Sequence, residues 1–215
     1  MNWIKRNDDA VSPVVGVMLM LVVTIILAAL VGTLAGGVMT DAEVAPQVTF
    51  SVTSTIEKIS DNVRSNSEPD SPSDAVNGII FRHTGGDAIS LDGIKVQIST
   101  SNKQMTFTLN TLSNSDISVV PDTYPVVKNG GASTYFSVGN KESVALNAGD
   151  YFILLADSCY DSTGATDASI TKGKFLVWSP ADSKGTFTAQ VGKTIEYSII
   201  DTASGNVLQR GTVKL

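Results

Sequence analysis

The sequence predicts an α+β protein: a long, hydrophobic N-terminal α-helix followed by an all-β, immunoglobulin-like β-sandwich head. Three observations predict it. Residues 10–40 carry no charge and consist mostly of Val, Leu, Ile, Met, Ala and Gly. After Pro46 the hydrophobic period changes from none to two. No second helical pattern follows. With 215 residues the chain can bury a sizeable core. A formal charge of −6 argues against a general affinity for nucleic acid, which needs a basic face.

The helix comes first. Lys5, Arg6, Asp8 and Asp9 precede the apolar run, and the next charge is Asp41. At about 1.5 Å per residue the run rises roughly 40 Å, against about 30 Å of bilayer hydrocarbon. It has no polar stripe at helical spacing, which argues against a buried core helix. Ser12 can cap free N–H groups, and Pro13 tolerates the first turn. Lys5 and Arg6 place the N-terminus in the cytoplasm and the body of the protein outside. Three segments fit: a cleaved secretory signal, an uncleaved anchor, or a prepilin-type leader cut before the helix. An ordinary signal has an apolar core of about 7–15 residues, and this run is about twice that. The small residues of "TLAGGVMTDA" keep the secretory signal open. Gly16, Gly32, Gly36 and Gly37 would let packed helices approach closely, although glycine is common in membrane helices anyway. The helix is expected to fade near Thr40, with Pro46 a firm stop.

The head follows from residue 45. In "VTFSVTSTI", Val48, Phe50, Val52 and Ile56 alternate with polar residues, the pattern of a half-buried strand. Residues 61–77 contain charges and two prolines and read as an exposed loop. Further strands are predicted at 78–83, 94–99, 105–109, 133–138, 143–146, 151–156, 174–178, 194–200 and 207–214, separated by turn signals such as "NGG" and "SGN". Many short strands suggest a β-sandwich. The domain organisation expected is residues 1–10 as leader, 11–44 as helix and 45–215 as head.

Catalytic constellations are poor, and no enzyme and no cofactor is expected. The chain has one histidine, His83, and one cysteine, Cys159. No Gly-x-Ser-x-Gly elbow accompanies His83, so a structural role is expected for it. Cys159 reads as a buried thiol, with an intersubunit bridge as the alternative. Asp157, Asp161 and Asp167 fall in one predicted loop, and hard cations prefer oxygen-rich loops. Their spacing matches no defined calcium motif, so no metal site is assigned and the three stand as weak candidates. Trp178, Phe152 and Phe175 read as core. No Asn-x-Ser/Thr sequon occurs.

The stretch "DDAVSPVVGVMLMLVVTIILAALVG" resembles the N-terminus of archaeal type IV pilins. In that family a short charged leader ends in Gly or Ala, then a Val-Ser-Pro-Val-Ile/Val-Gly-Val segment opens a long aliphatic helix. The matching residues are Ala10, Val11, Ser12, Pro13, Val14, Val15, Gly16 and Val17. In the head, "HTGGDAISLDGIKVQI" and "VGKTIEYSIIDTASGNVLQRGTVKL" resemble elements of the same proteins. Asp8 and Asp9 between the basic pair and the cut, and Ala in place of Gly, depart from the pattern. The resemblance implies cleavage between Ala10 and Val11 by a membrane-embedded prepilin peptidase, with Lys5, Arg6, Ser12, Pro13 and Gly16 in the recognised region. It implies an assembly helix that packs through Val14, Val17, Leu21, Val22, Ile25, Gly32 and Gly36. The implied partners are further copies of the chain in a helical filament, a pilus assembly ATPase and its membrane platform. The precursor would sit in the cell membrane and the mature protein in an extracellular filament. Val15 would occupy the position where bacterial pilins carry a glutamate, so docking by that charge is absent.

Two functions from different classes remain. One is a structural subunit whose helix builds a filament core and whose β head coats the outside, serving adhesion. The other is a membrane-tethered extracellular binding domain that never polymerises.

Overall fold

The computed structural model describes residues 12–37, 45–57, 59, 76–113, 124–139, 144–182 and 185–215. Lys5, Arg6, Ala10, Val11 and nearly all of the predicted 61–77 loop lie outside the described residues. The chain forms two compact units, Met1–Glu43 and Val44–Leu215.

The first unit contains α1, Ser12–Gly37. It starts at the Ser-Pro pair, as expected. Beyond Pro13 in the first turn it has no proline, and its straight-chain and β-branched aliphatics tolerate helical geometry.

The second unit is built of strands: β1 (Val48–Ile56), β2 (Asn77–Gly86), β3 (Ile89–Ser90), β4 (Ile94–Ser99), β5 (Gln104–Phe107), β6 (Val126–Asn129) and β7 (Ala132–Ser137). Then come β8 (Ala145–Leu146), β9 (Tyr151–Leu155), β10 (Ser158–Asp161), β11 (Lys174–Trp178), β12 (Phe187–Gln190), β13 (Thr194–Asp201) and β14 (Val207–Lys214). All pairings are antiparallel. The sheets run β1-β2-β9-β7-β6, β14-β13-β4-β5, β10-β11-β12 and β3-β8. The helix followed by a mostly β head is the expected α+β class, and the described strands of the head form several antiparallel sheets.

The hydrophobic pattern explains which strands were legible. In β4, Ile94, Val96 and Ile98 are buried while Lys95, Gln97 and Ser99 alternate with them. In β9 and β11 nearly every residue is buried, so each reads as a short continuous apolar run. β3, β6, β10 and β12 escape the sequence reading because two to four residues carry too little of either pattern. The predicted 143–146 strand shrinks to β8. Asn77, predicted at the end of an exposed loop, is buried and opens β2. Its Oδ1 accepts from the Glu57 N–H at 3.0 Å, and Glu57 Oε2 accepts from the Val76 N–H at 2.9 Å. The "NGG" turn joins β6 to β7 through Gly130 and Gly131, whose φ values of 59° and 88° suit a tight hairpin loop.

One core unites the sheets. Phe81 of β2 stacks on Phe152 of β9 at 4.8 Å and meets Tyr197 of β13 edge-on at 5.7 Å. The two largest sheets thus touch across the core. Trp178, Phe107, Phe136 and Phe187 are fully buried around them. Burying each such side chain contributes about 1.5–3 kcal/mol.

The start of the head is fixed by the "HTGGDA" element. The Asp87 N–H donates to the Gln47 carbonyl at 2.8 Å, and Asp87 Oδ2 accepts from the Gln47 N–H at 2.9 Å. Gly86 has φ of +104°, and a Cβ there would lie 2.0 Å from the Gln47 carbonyl oxygen. Two residues on, β1 has a register shift between Thr49 and Phe50. There the Gln209 side chain of β14 acts as a piece of strand. Its Oε1 accepts from the Phe50 N–H at 2.6 Å and its Nε2 donates to the Phe50 carbonyl at 2.8 Å. Gly86→Ala combines a disfavoured φ with that backbone clash. It should cost at least about 1–3 kcal/mol, the scale of one strained residue. Thermal unfolding of the detergent-solubilised chain checks this; an unchanged Tm would show that the clamp relaxes freely.

Candidate functional site

The surface that stands out is that of α1. Every described side chain from Val14 to Thr33 is exposed, with relative accessibilities of the large ones between 45% and 71%. These side chains are aliphatic on all sides of the helix, so no face is marked as inner or outer. Among the described residues, Val14–Thr33 is one helix long and apolar enough to cross a membrane, a property shared with signal sequences. Its 20 residues rise about 30 Å, the thickness of bilayer hydrocarbon.

The two hydroxyls on this surface are already satisfied. Thr24 Oγ1 donates to the Leu21 carbonyl and Thr33 Oγ1 to the Leu30 carbonyl, each at 2.9 Å. The described helix therefore exposes no unpaired polar side chain, which suits a hydrocarbon environment. Val14, Val17, Leu21, Val22 and Ile25 all lie on this surface. At Gly16 and Gly32 an added Cβ would meet nothing within 4 Å. The space beside an added Cβ is therefore open at both positions among the described residues. Gly36 is within α1, but its surroundings lie outside the described residues, as do the side chains of Ser12 and Pro13.

The head residues singled out in the sequence do not form a site. His83 is fully buried, its ring 5.3 Å from that of Phe50, and neither ring nitrogen has a hydrogen-bond partner. No hydroxyl is therefore held by it as a triad would require. Cys159 is a buried free thiol, approached by Asn77 Nδ2 at 3.7 Å.

The three aspartates predicted to share a loop are separated. Asp157 is buried and precedes β10, where the residues 158–161 form a strand. Its carboxylate accepts from the Tyr135 hydroxyl at 2.6 Å, and also from the Ser113 hydroxyl and the Ser179 N–H. Burial, reinforced by the Asp157 charge, pushes the Tyr135 hydroxyl pKa well above its usual value. Asp161 accepts from the Thr163 hydroxyl at 2.7 Å and the Thr163 N–H at 2.9 Å, and Asp167 from the Ser169 N–H at 2.8 Å. Among the described residues no three His, Cys, Asp or Glu side chains cluster as a metal would need. Sequence reasoning missed the Asp157–Tyr135 network because nothing in local spacing links residues 113, 135, 157 and 179.

Against this geometry the comparison with known families is informative. Residues 9–50 match the family model of the archaeal type IV pilin N-terminal domain. Over this stretch the chain is similar to that pilin domain. This pilin domain takes in all of α1 and the first three residues of β1. It supports a type IV pilin-like subunit, a structural family, with an apolar helix suited to a membrane-anchored precursor. No curated protein matches the chain.

The turn carboxylates generate a prediction. The Asp161 pKa is lowered, first by the Thr163 hydroxyl, then by its N–H, with Lys174 at 3.9 Å adding a smaller share. A lowered folded pKa contributes stability that is present above the unfolded value, 3.8, and lost as pH falls through the folded one. Asp161→Asn should therefore destabilise the head at neutral pH, and the difference from wild type should shrink as the pH drops below 3.8. Denaturant titrations at a series of pH values measure it. A difference that stays constant with pH would remove Asp161 from the acid response.

Proposed function

We propose that the protein is the structural subunit of an archaeal type IV pilus-like surface filament, with the helices packed in the core, the β heads outside, and adhesion as its role. The observation that carries this reading is a helix apolar on every side and exposed along its described length, within a segment matching the pilin N-terminal domain. An amphipathic helix would be covered by its own head. A helix greasy all round needs lipid before assembly and other helices after it. The role is structural, with no catalytic step.

In this reading the leader is cut between Ala10 and Val11 by a prepilin peptidase, and an assembly ATPase with its membrane platform drives extraction of the helix from the membrane. The mature chain then begins one residue before α1. Cohesion comes from van der Waals packing and exclusion of water, since no charge lies between residues 10 and 40. Val14, Val17, Leu21, Val22 and Ile25 supply the packing surface, and Gly16, Gly32 and Gly36 the points of close approach.

Mass spectrometry of sheared surface material should give a mature N-terminus at Val11. Retention of Met1, or a start after Ala35, would instead mark an anchor or a secreted protein. Val22→Asp places a carboxylate on the packing surface, at about 2.5–3.5 kcal/mol per subunit on membrane-insertion scales. Filaments should be lost while the head still folds, as read by electron microscopy and by protease resistance of the head. Normal filaments from Val22→Asp cells would favour the tethered binding domain. Gly32→Leu is the sharper probe of contact. Its Cβ meets nothing within 4 Å among the described residues, so a changed or absent filament reports a neighbouring chain, and an unchanged one places Gly32 away from close contacts.

A further inference from the structure

The solvent face of the β14-β13-β4-β5 sheet differs in charge from the rest of the molecule. Across it, Arg210 lies beside Ser198, which is itself buried, and then come Gln97 and Thr106. The next row sets Thr212, Glu196, Ser99 and Gln104 side by side. Lys214 and Lys95 stand at opposite ends, next to Thr194 and Ile200 respectively. The inward partners in the same strands, such as Val96, Ile98, Ile195 and Ile199, are buried, which fixes the orientation of the outward set.

Three features bear on what this face could hold. First, it carries Lys95, Arg210 and Lys214 against one carboxylate, Glu196, in a chain of formal charge −6. Among the described residues no carboxylate is within ion-pair distance of any of the three cations; the ion pair there is Lys174–Asp161, elsewhere in the head. Second, the polar rows are held by side-chain hydrogen bonds: Arg210 Nε to Ser198 Oγ at 3.3 Å, Gln97 Nε2 to Thr106 Oγ1 at 3.3 Å, and Ser99 Oγ to Glu196 Oε2 at 3.5 Å. Third, it has no aromatic side chain, and its large outward apolar residues, half-buried Ile200 and exposed Val207, sit side by side at one end of it.

Those features discriminate among polyanions. A tight protein partner needs an aromatic or apolar anchor at the centre of its interface. Single-stranded nucleic acid needs stacking platforms. Duplex DNA draws its affinity from neutralising about 6–10 phosphates, and three cations fall well short. A hydroxyl-rich chain with sparse negative charge fits better. At about 3.4 Å per residue and 4.8 Å per strand, Lys214, Arg210 and Lys95 follow one another along an oblique line at steps of roughly 12–14 Å. Between them lie amide and hydroxyl groups that can both donate and accept.

We propose that this sheet face binds an acidic polysaccharide, with Arg210, Lys214 and Lys95 pairing its carboxylates or sulfates and the Gln, Ser and Thr rows bonding its hydroxyls. The proposal is independent of whether the chain polymerises. The test uses the full chain in neutral detergent. Polygalacturonate and dextran sulfate are the probes, unmodified dextran the uncharged control, and binding is measured at low and at physiological salt. Acidic polymers should bind and dextran should not, with affinity falling as salt rises. Arg210→Glu with Lys214→Glu should weaken binding at least tenfold. Lys128→Glu, an exposed lysine on β6, should leave it unchanged. Arg210→Gln with Lys95→Gln is a milder pair for the case where the charge reversals unfold the head, and it should also weaken binding several-fold and flatten the salt dependence. The proposal is overturned if neither acidic polymer binds at low salt, if Lys128→Glu weakens binding as much as the face variants, or if the face variants abolish self-association of the chain and leave polymer binding intact.

Discussion

A helix with aliphatic side chains on every side has no orientation that keeps it out of water by folding onto its own chain. That constraint governs the rest of this protein. Away from its ends α1 satisfies its backbone groups internally, and Thr24 and Thr33 return their hydroxyls to carbonyls of the preceding turn. Nothing polar is left to direct the helix to one partner. Its environment must be apolar around the full circumference, which a bilayer or a bundle of like helices provides and a single β head cannot. The head must then be complete without it, and the described core cluster is drawn from residues of Val44–Leu215, most of them in strands.

Within the head, the core is specified by contacts that are few and directional. The Asp157 carboxylate draws in donors from Ser113, Tyr135 and Ser179, three segments distant in sequence. A buried carboxylate left with fewer donors is costly, so this centre favours one arrangement of the strands around it. Gln209 plays the comparable part at the sheet margin, where β1 and β14 run near each other without a backbone ladder. At the other extreme, His83 and the Trp178 indole nitrogen are buried with no partner.

Much of this was legible in the sequence, and the parts that were not share a cause. The helix was readable because twenty-odd consecutive apolar residues admit few interpretations. β1, β4 and β13 were readable because Val48–Phe50–Val52, Ile94–Val96–Ile98 and Ile195–Tyr197–Ile199 repeat at period two. β10 was misread as loop because "SCYD" alternates weakly and sits between aspartates; only its register with β11 makes it a strand. The clustering of the three aspartates failed for the same reason, since the strand carries Asp157 and Asp161 apart. The core assignments of Trp178, Phe152 and Phe175 held because large aromatics in strands have nowhere else to go. The "HTGGDA" element was noticed by resemblance, but its purpose needed the carbonyl of Gln47 to be seen beside Gly86.

That junction also determines how the head would respond to tension. A pull on the chain from the helix side enters the head at Ala45 and meets the paired Gln47–Asp87 bonds first. Behind them lies β1, antiparallel to β2 along nine residues. A force along β1 does not open this ladder one rung at a time; it loads the rungs together, in shear. The Gln209 bridge and the Ser54 bond to the Lys214 carbonyl at 2.8 Å join β14, the last strand of the chain, to the same load. The first and last strands of the head therefore share a load that enters at Ala45.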